Sequence, residues 1–185
     1  MILFRCFPWE AEVPASAPGG PLWFPRMLQG AGRHDNPYLY GCLYATVEAV
    51  SSVVERLQGL RTTRLEEADL RSRGRPLALA ALELADDAEL VDLDEPAVLV
   101  EERLRPSRVA TNERSITQGH AAELFRRHPG GLGLRWWSTF ESLWANVTLF
   151  DRAEPGLGVA DVRALELGDD VVREAAEFLG LPIAA

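Results

Sequence analysis

Four residues of this chain combine a reactive side chain with a position at the edge of an apolar element: Arg33 in "GAGRHDN", Tyr44 at the end of "YLYGCLY", Glu55 in "VEAVSSVVERL", and Ser138 closing "LRWWS". A guanidinium placed after glycine can grip an anion. Its fork donates two parallel hydrogen bonds to phosphate or carboxylate oxygens and stays charged at any working pH. Taken one at a time, each residue also has an ordinary structural reading. Arg33 is then a solvated loop arginine, Tyr44 a core residue with a satisfied hydroxyl, Glu55 part of a solvated helix face and Ser138 a turn residue.

The elements that must position these residues are legible in the periodicity. "ILFRCF" (2–7) reads as a strand, and "PASAPGGP" breaks the pattern into a loop. "YLYGCLY" (38–44) is a second strand candidate. Thr46 is a suitable N-cap for a helix over about 47–58, on which Val47, Val50, Val54 and Leu57 form the core stripe while Glu48, Ser51 and Glu55 share another face. "LALAALEL" fits either a strand or a helix, because its leucines and alanines favour helix. "AELVDLD" reads as a strand. Pro96 opens a helix in "PAVLVEERL" after Asp94, and Ser115 begins another in "ITQGHAAELFRRH". "LRWWST", "WANVTLFD" and "VADVRALEL" read as strands. A last helix is capped by Asp169 or Asp170 and ended by Gly180 and Pro182. Strands and helices mix without strict alternation, which predicts one α/β (α+β) domain over 1–185.

Composition narrows the function. With 47% hydrophobic and 25% charged residues among 185, the chain has the make-up of a folded domain. A net charge of −9 argues against direct nucleic-acid binding or an anionic membrane surface, so the expected macromolecular partner is a protein. No apolar run is long enough to span a bilayer. All 19 basic residues are arginine, which excludes a Walker-type P-loop because that motif needs lysine. "GGLGLRW" lacks the third glycine of a dinucleotide fingerprint and leads into a strand pattern. His34, His120 and His128 lack metal-ligand spacing, so no metal site is expected. Gly-x-Ser-x-Gly is missing. Cys6 and Cys42, in apolar runs behind no signal-peptide pattern, read as reduced core thiols of a cytoplasmic protein.

The ordered set of short motifs resembles the RES domain, a family named for its arginine, glutamate and serine. The family pattern is similar to Gly32-Arg33-His34, Tyr44, Glu55, Thr117-Gln118, Gly133-Leu134-Arg135-Trp136-Trp137-Ser138 and Leu149-Phe150, spanning about residues 3–151 and leaving 152–185 as a C-terminal strand and helix. Two departures stand out. His34-Asp35 replaces the usual aromatic residue and Asn, and Ala45-Thr46 replaces the common Leu-Ala.

The resemblance implies a fold similar to ADP-ribosyltransferases and a toxin that consumes NAD, silenced by a cognate Xre-type antitoxin. NAD is then the substrate, and no separate cofactor is implied. Hydrolysis, phosphorolysis and transfer of ADP-ribose to a protein all remain open, as does a non-catalytic RES-like scaffold, which the unusual His34-Asp35 motivates. Monomer, homodimer and larger complex are equally compatible. In this reading Arg33 clamps the pyrophosphate and Glu55 stabilises the cation that develops on the ribose. Tyr44 stacks on or hydrogen-bonds near the nicotinamide, and Ser138 orients ribose or carboxamide. Arg5, His34 and Asn146 are further lining residues.

Overall fold

The computed structural model describes residues 1–60 and 64–184. In chain order its regular elements are β1 (Ile2–Pro8), β2 (Cys42–Thr46), α1 (Ala49–Leu57), β3 (Arg71–Ser72), β4 (Arg75–Leu84), β5 (Leu90–Asp92), α2 (Pro96–Glu101), α3 (Pro106–Val109), α4 (Arg114–Arg127), β6 (Gly133–Trp137), β7 (Ala145–Phe150), β8 (Leu157–Ala164) and α5 (Asp170–Leu179). The expected α/β class is what forms, with helices packed on strands of mixed direction. Two compact units share the chain: Met1–Trp23 with Ala45–Glu83 and Gly158–Ala185, and Phe24–Tyr44 with Leu84–Leu157.

In the first unit the strand order is β3-β4-β1-β2, and β8 also pairs with β4. β1 and β4 run antiparallel from Ile2↔Glu83 to Pro8↔Leu77. "LALAALEL" is therefore a strand, since hydrogen bonding to neighbours on the sheet outweighs the modest helix preference of Leu and Ala. β3 and β4 form a hairpin with Ser72↔Arg75 as the closing pair. Its two central residues, Arg73 and Gly74, have φ of 53° and 81°, the left-handed pair a type I′ turn requires. α1 packs on β1 and α5. The C-cap of α5 is Gly180, left-handed at φ 66°, and the Leu181 amide closes back onto the Ala176 carbonyl at 2.8 Å.

The helix after β2 starts two residues later than Thr46 suggests. Thr46 ends β2, its hydroxyl donates to the Glu48 carbonyl at 2.6 Å, and Glu48 is the N-cap. The buried face also differs: it comprises Ser51, Ser52, Val53, Val54 and Leu57, while Val47 and Val50 are only partly covered. Ser51 thus belongs to the core side and not with an outer acidic face. One reason is polar: the Ser52 hydroxyl accepts the Cys6 amide at 2.7 Å, tying α1 to β1 through that side.

In the second unit the order is β2-β7-β6-β5. β5 and β6 are parallel, with Val91↔Leu134. β6 and β7 are antiparallel, with Trp136↔Asn146 and Leu134↔Thr148. The core gathers Tyr40, Cys42, Leu99, Leu124, Leu134 and Phe150. The expected strand over 38–44 begins only at Cys42. Tyr38 is 98% exposed, and Asn36 and Tyr40 form an isolated bridge around a turn, because Pro37 removes a donor that a longer ladder would need. Both cysteines are free thiols. Burial pushes the Cys6 thiol up to about 12 and Cys42 up as well, which makes neither a nucleophile.

Candidate functional site

The Gly30–Asn36 loop of the second unit is held from two sides. Its carbonyls are taken by α4: the Gln118 side-chain amide donates to the Gly30 and Gly32 carbonyls at 3.0 and 2.8 Å, and the Thr117 hydroxyl donates to the Arg33 carbonyl at 2.6 Å. Its amides are taken by Asp35, whose Oδ2 accepts the Gly30 and Gly32 N–H groups at 2.8 and 2.7 Å. Hydrogen bonds to an ionised acceptor contribute about 1.5–3 kcal/mol each, so Asp35 is a principal organiser of the loop. In the sequence Asp35 stands out only as a departure from the RES pattern. The signal was an Asp three residues after glycine, a side chain that commonly closes a local turn.

Arg33 is buried at 7% exposure, contrary to a solvated loop arginine. Its Nη1 donates to the Val109 and Thr111 carbonyls at 3.0 and 2.7 Å, and its guanidinium carbon lies 4.7 Å from the centre of the Trp136 ring. The stacked, delocalised cation tolerates this burial better than lysine's compact ammonium does. Nη1 is committed to the backbone that leads into α4.

Tyr44 stands beneath the same loop. Its hydroxyl donates to Asp35 Oδ1 at 2.7 Å and accepts the His34 amide at 2.9 Å. Burial, followed by the neighbouring Cys42 sulfur and Asp35 carboxyl, drives its pKa upward, so it remains a neutral phenol. The expected role of hydrogen-bonding a ligand through the hydroxyl is not what this geometry favours, because the hydroxyl proton is directed at Asp35.

His34 faces inward at 3% exposure. Its Nδ1 shares a 2.8 Å hydrogen bond with the Thr148 hydroxyl, and its ring meets Trp136 edge-on at 5.3 Å. An imidazole here fills the place of an aromatic ring and adds one buried polar contact. Asn146 is the cross-strand partner of Trp136 and is buried at 4%; directly paired residues project from one sheet face, so Trp136 and Asn146 share it, and Thr148, two residues on, shares it too. Ser138 lies just past β6, where its hydroxyl accepts the Phe140 amide at 3.1 Å and its own amide donates to the Trp144 carbonyl at 2.8 Å. It closes the turn, as the ordinary reading of a strand-end serine has it.

Burial, then the Arg33 and Arg114 charges, push His34 down to about 3. The unfolded chain therefore binds a proton between about pH 6.5 and 3 that the folded chain refuses, and stability contributed by neutral His34 is lost as pH falls through that window, at about 1.4 kcal/mol per pH unit. His34→Phe is expected to remove this component. Urea midpoints measured from pH 7 to 4 check it: the variant's curve falls less steeply, and parallel curves contradict it.

The remaining two candidates belong to the first unit. Arg5, on β1, is half-buried; its Nη1 donates to the Pro21 carbonyl and its guanidinium lies 4.9 Å from the Phe7 ring. Desolvation lowers it to about 10, which leaves it charged. Glu55 is half-buried on α1, and Gln58 Nε2 donates to its Oε2 at 2.9 Å. Among the described residues no group of three or more His, Cys, Asp and Glu is arranged to hold a metal ion, and no helix is long and apolar enough to cross a membrane. A small hollow next to His34, lined by Arg108, Val109, Thr117 and His120 among others, spans about 240 Å³ when the space open to solvent is included, and its enclosed part has room for little more than a water molecule.

No family model matches the chain, and no curated protein sequence does. Among solved structures, a chain from the crystal structure of the M. tuberculosis MbcT–MbcA toxin–antitoxin complex has a similar fold, with a TM-score of 0.62 at 15% sequence identity, over 97% of this chain and 88% of that one. At this identity the likeness is one of fold.

Proposed function

We propose that this chain is an NAD-consuming enzyme of the RES type, the toxin of a toxin–antitoxin pair, and that it cleaves the bond between nicotinamide and ribose. The observation that carries the reading is the loop around Arg33. The Gly-Arg and Thr-Gln motifs of the RES pattern, 84 residues apart from Arg33 to Thr117, meet in one hydrogen-bonded unit. The fold likeness to a chain of a toxin–antitoxin complex supports it independently.

The chemistry suits the residue types. Nicotinamide leaves NAD as a neutral molecule from a cationic ring, so no general acid is required, and positive charge builds on the ribose in an oxocarbenium-like transition state. Glu55 is the carboxylate assigned to that charge and to the ribose hydroxyls. Arg33 is the cation assigned to the pyrophosphate. Tyr44 offers its ring, His34 and Asn146 line or support the site, and Ser138 holds the turn after β6; for Glu55 and Arg5, which belong to the first unit, the assignment rests on the resemblance. Water as acceptor makes the enzyme a glycohydrolase, phosphate makes it a phosphorylase, and a protein side chain makes it an ADP-ribosyltransferase. His34-Asp35, which motivates a non-catalytic scaffold, has a structural use in the loop and lends that reading no separate support. The expected protein partner is an antitoxin of the Xre type.

Expression in a bacterial host is expected to arrest growth together with a fall in cellular NAD. Arg33→Ala relieves both, and so does co-expression of an adjacent Xre-like gene. Arrest at unchanged NAD moves the reading to transfer of ADP-ribose onto a protein target.

A further inference from the structure

We propose that Asp35 is the positioning residue of the Arg33 loop: it fixes the loop backbone and the Tyr44 hydroxyl, and so sets the affinity for the dinucleotide without touching it. This rests on the reading of that loop as an NAD phosphate site.

Two backbone amides converging on one point form a cradle suited to an anion. Here the cradle made by Gly30 and Gly32 is filled by the chain's own carboxylate, Asp35 Oδ2, in a residue only 5% exposed. The other oxygen continues the circuit: Oδ1 accepts the Tyr44 hydroxyl, which in turn accepts the amide of His34. The amides immediately before and after Arg33, those of Gly32 and His34, are therefore both tied to the Asp35–Tyr44 pair. Thr117 and Gln118 hold the carbonyls of the same segment. Arg33 emerges from a backbone restrained on both its donor and its acceptor sides. Gly32 is required by the closeness of this arrangement, since a Cβ there would lie 2.6 Å from both Asp35 Oδ1 and the Tyr44 oxygen. Tyr44 is by this account a strut under the loop, and a ligand meets its ring and not its proton.

A positioning residue acts on binding more than on the chemical step. In Asp35→Ala the KM for NAD is expected to rise about tenfold or more while kcat stays within about threefold. Amide exchange at Gly30, Gly32 and His34, followed by NMR in the full chain, is expected to accelerate at least about tenfold, with the β7 amides unchanged. Asp35→Asn keeps an acceptor for the glycine amides but not for both them and the Tyr44 proton, so it falls between wild type and alanine. Tyr44→Phe does likewise, and adding it to Asp35→Ala produces no further rise in KM, because the two act as one unit. If Asp35→Ala loses β7 protection as well, it has unfolded, and the Asn and Phe variants decide by the same readouts. Unchanged exchange at the three loop amides overturns the proposal, as does a fall in kcat at constant KM. Should wild-type protein release no nicotinamide, the NAD reading falls on its own. The exchange arm then decides the latch: lost protection in Asp35→Ala upholds it, and retained protection overturns it.

Discussion

Replacing Glu55 by Gln is expected to cut the rate of nicotinamide release from NAD by about 10²–10³, the scale on which removal of a single transition-state charge partner acts. The substitution keeps the size and shape of the side chain and deletes only its charge. Binding of NAD should change little, because the interaction strengthens as the ribose becomes cationic and is weak before that; kcat and kcat/KM then fall together. Stability should stay within about 0.5 kcal/mol of wild type, as is usual for substitutions that create no cavity and bury no unpaired group. Glu55 is half-buried near the end of α1, outside the buried set of Ser51, Ser52, Val53, Val54 and Leu57. A glutamine there can still accept from Gln58 Nε2, which now lies 2.9 Å from Glu55 Oε2. Loss of turnover at unchanged melting temperature marks a chemical role; an equal loss of both marks a structural one.

Gly133→Ala is expected to produce the largest loss of stability from the smallest change in composition. A Cβ at Gly133 would lie 2.3 Å from the Thr148 carbonyl oxygen and 3.1 Å from the Leu149 Cα, both backbone atoms of the paired strand β7. Neither can rotate away, so β6 and β7 must part at the Gly133↔Leu149 pair. Overpacking of this kind costs about 2–3 kcal/mol, which for a chain of this length lowers the melting temperature by about 5–10 °C. The same strands carry Trp136 and Thr148, against which Arg33 and His34 lie, so NAD binding should weaken with the fold. Gly119→Ala is the matched control. Nothing lies within 4 Å of its Cβ position and it sits inside α4, where alanine is the better helix former by about 1 kcal/mol. Thermal melts of the two variants in opposite directions would bear out the packing argument, and two equal small shifts would contradict it.

Much of the fold was legible because one apolar period dominates each element. "ILFRCF", "LRWW" and "ANVTLF" lie in strands, and Gly180 ends the last helix where its left-handed φ is needed. The misreadings share a physical cause: local periodicity says little about where backbone hydrogen bonds go. "YLYGCLY" has the apolar content of a strand, yet Pro37 and the Asn36–Tyr40 bridge turn its first half into a loop. The core face of α1 was half legible: Val54 and Leu57 lie on it, but Val47 and Val50 give way to Ser51, Ser52 and Val53, with Ser52 accepting an amide from β1.

At the candidate site the sequence showed residue types and not their attachments. Arg33, His34, Tyr44 and Asn146 do gather in the second unit, around Trp136 and the Gly30–Asn36 loop. What the sequence hid is that Arg33 is buried and bonded to carbonyls 76 and 78 residues further along the chain, and that Asp35 anchors the loop. A substitution that looked like a departure from the RES pattern therefore makes a device of its own, in which a carboxylate occupies the loop's amides and the tyrosine locks to it. Thr117 and Gln118, two short polar residues in a helix, acquire a purpose only once the loop lies against them.

The central claim is tested most directly by incubating the purified wild-type chain with NAD and measuring free nicotinamide over time, with Glu55→Gln alongside. The account predicts nicotinamide in many-fold molar excess over protein from the wild type and close to none from the variant. Wild-type protein that binds or ignores NAD but releases no nicotinamide, or a Glu55→Gln variant as active as the wild type, would contradict it.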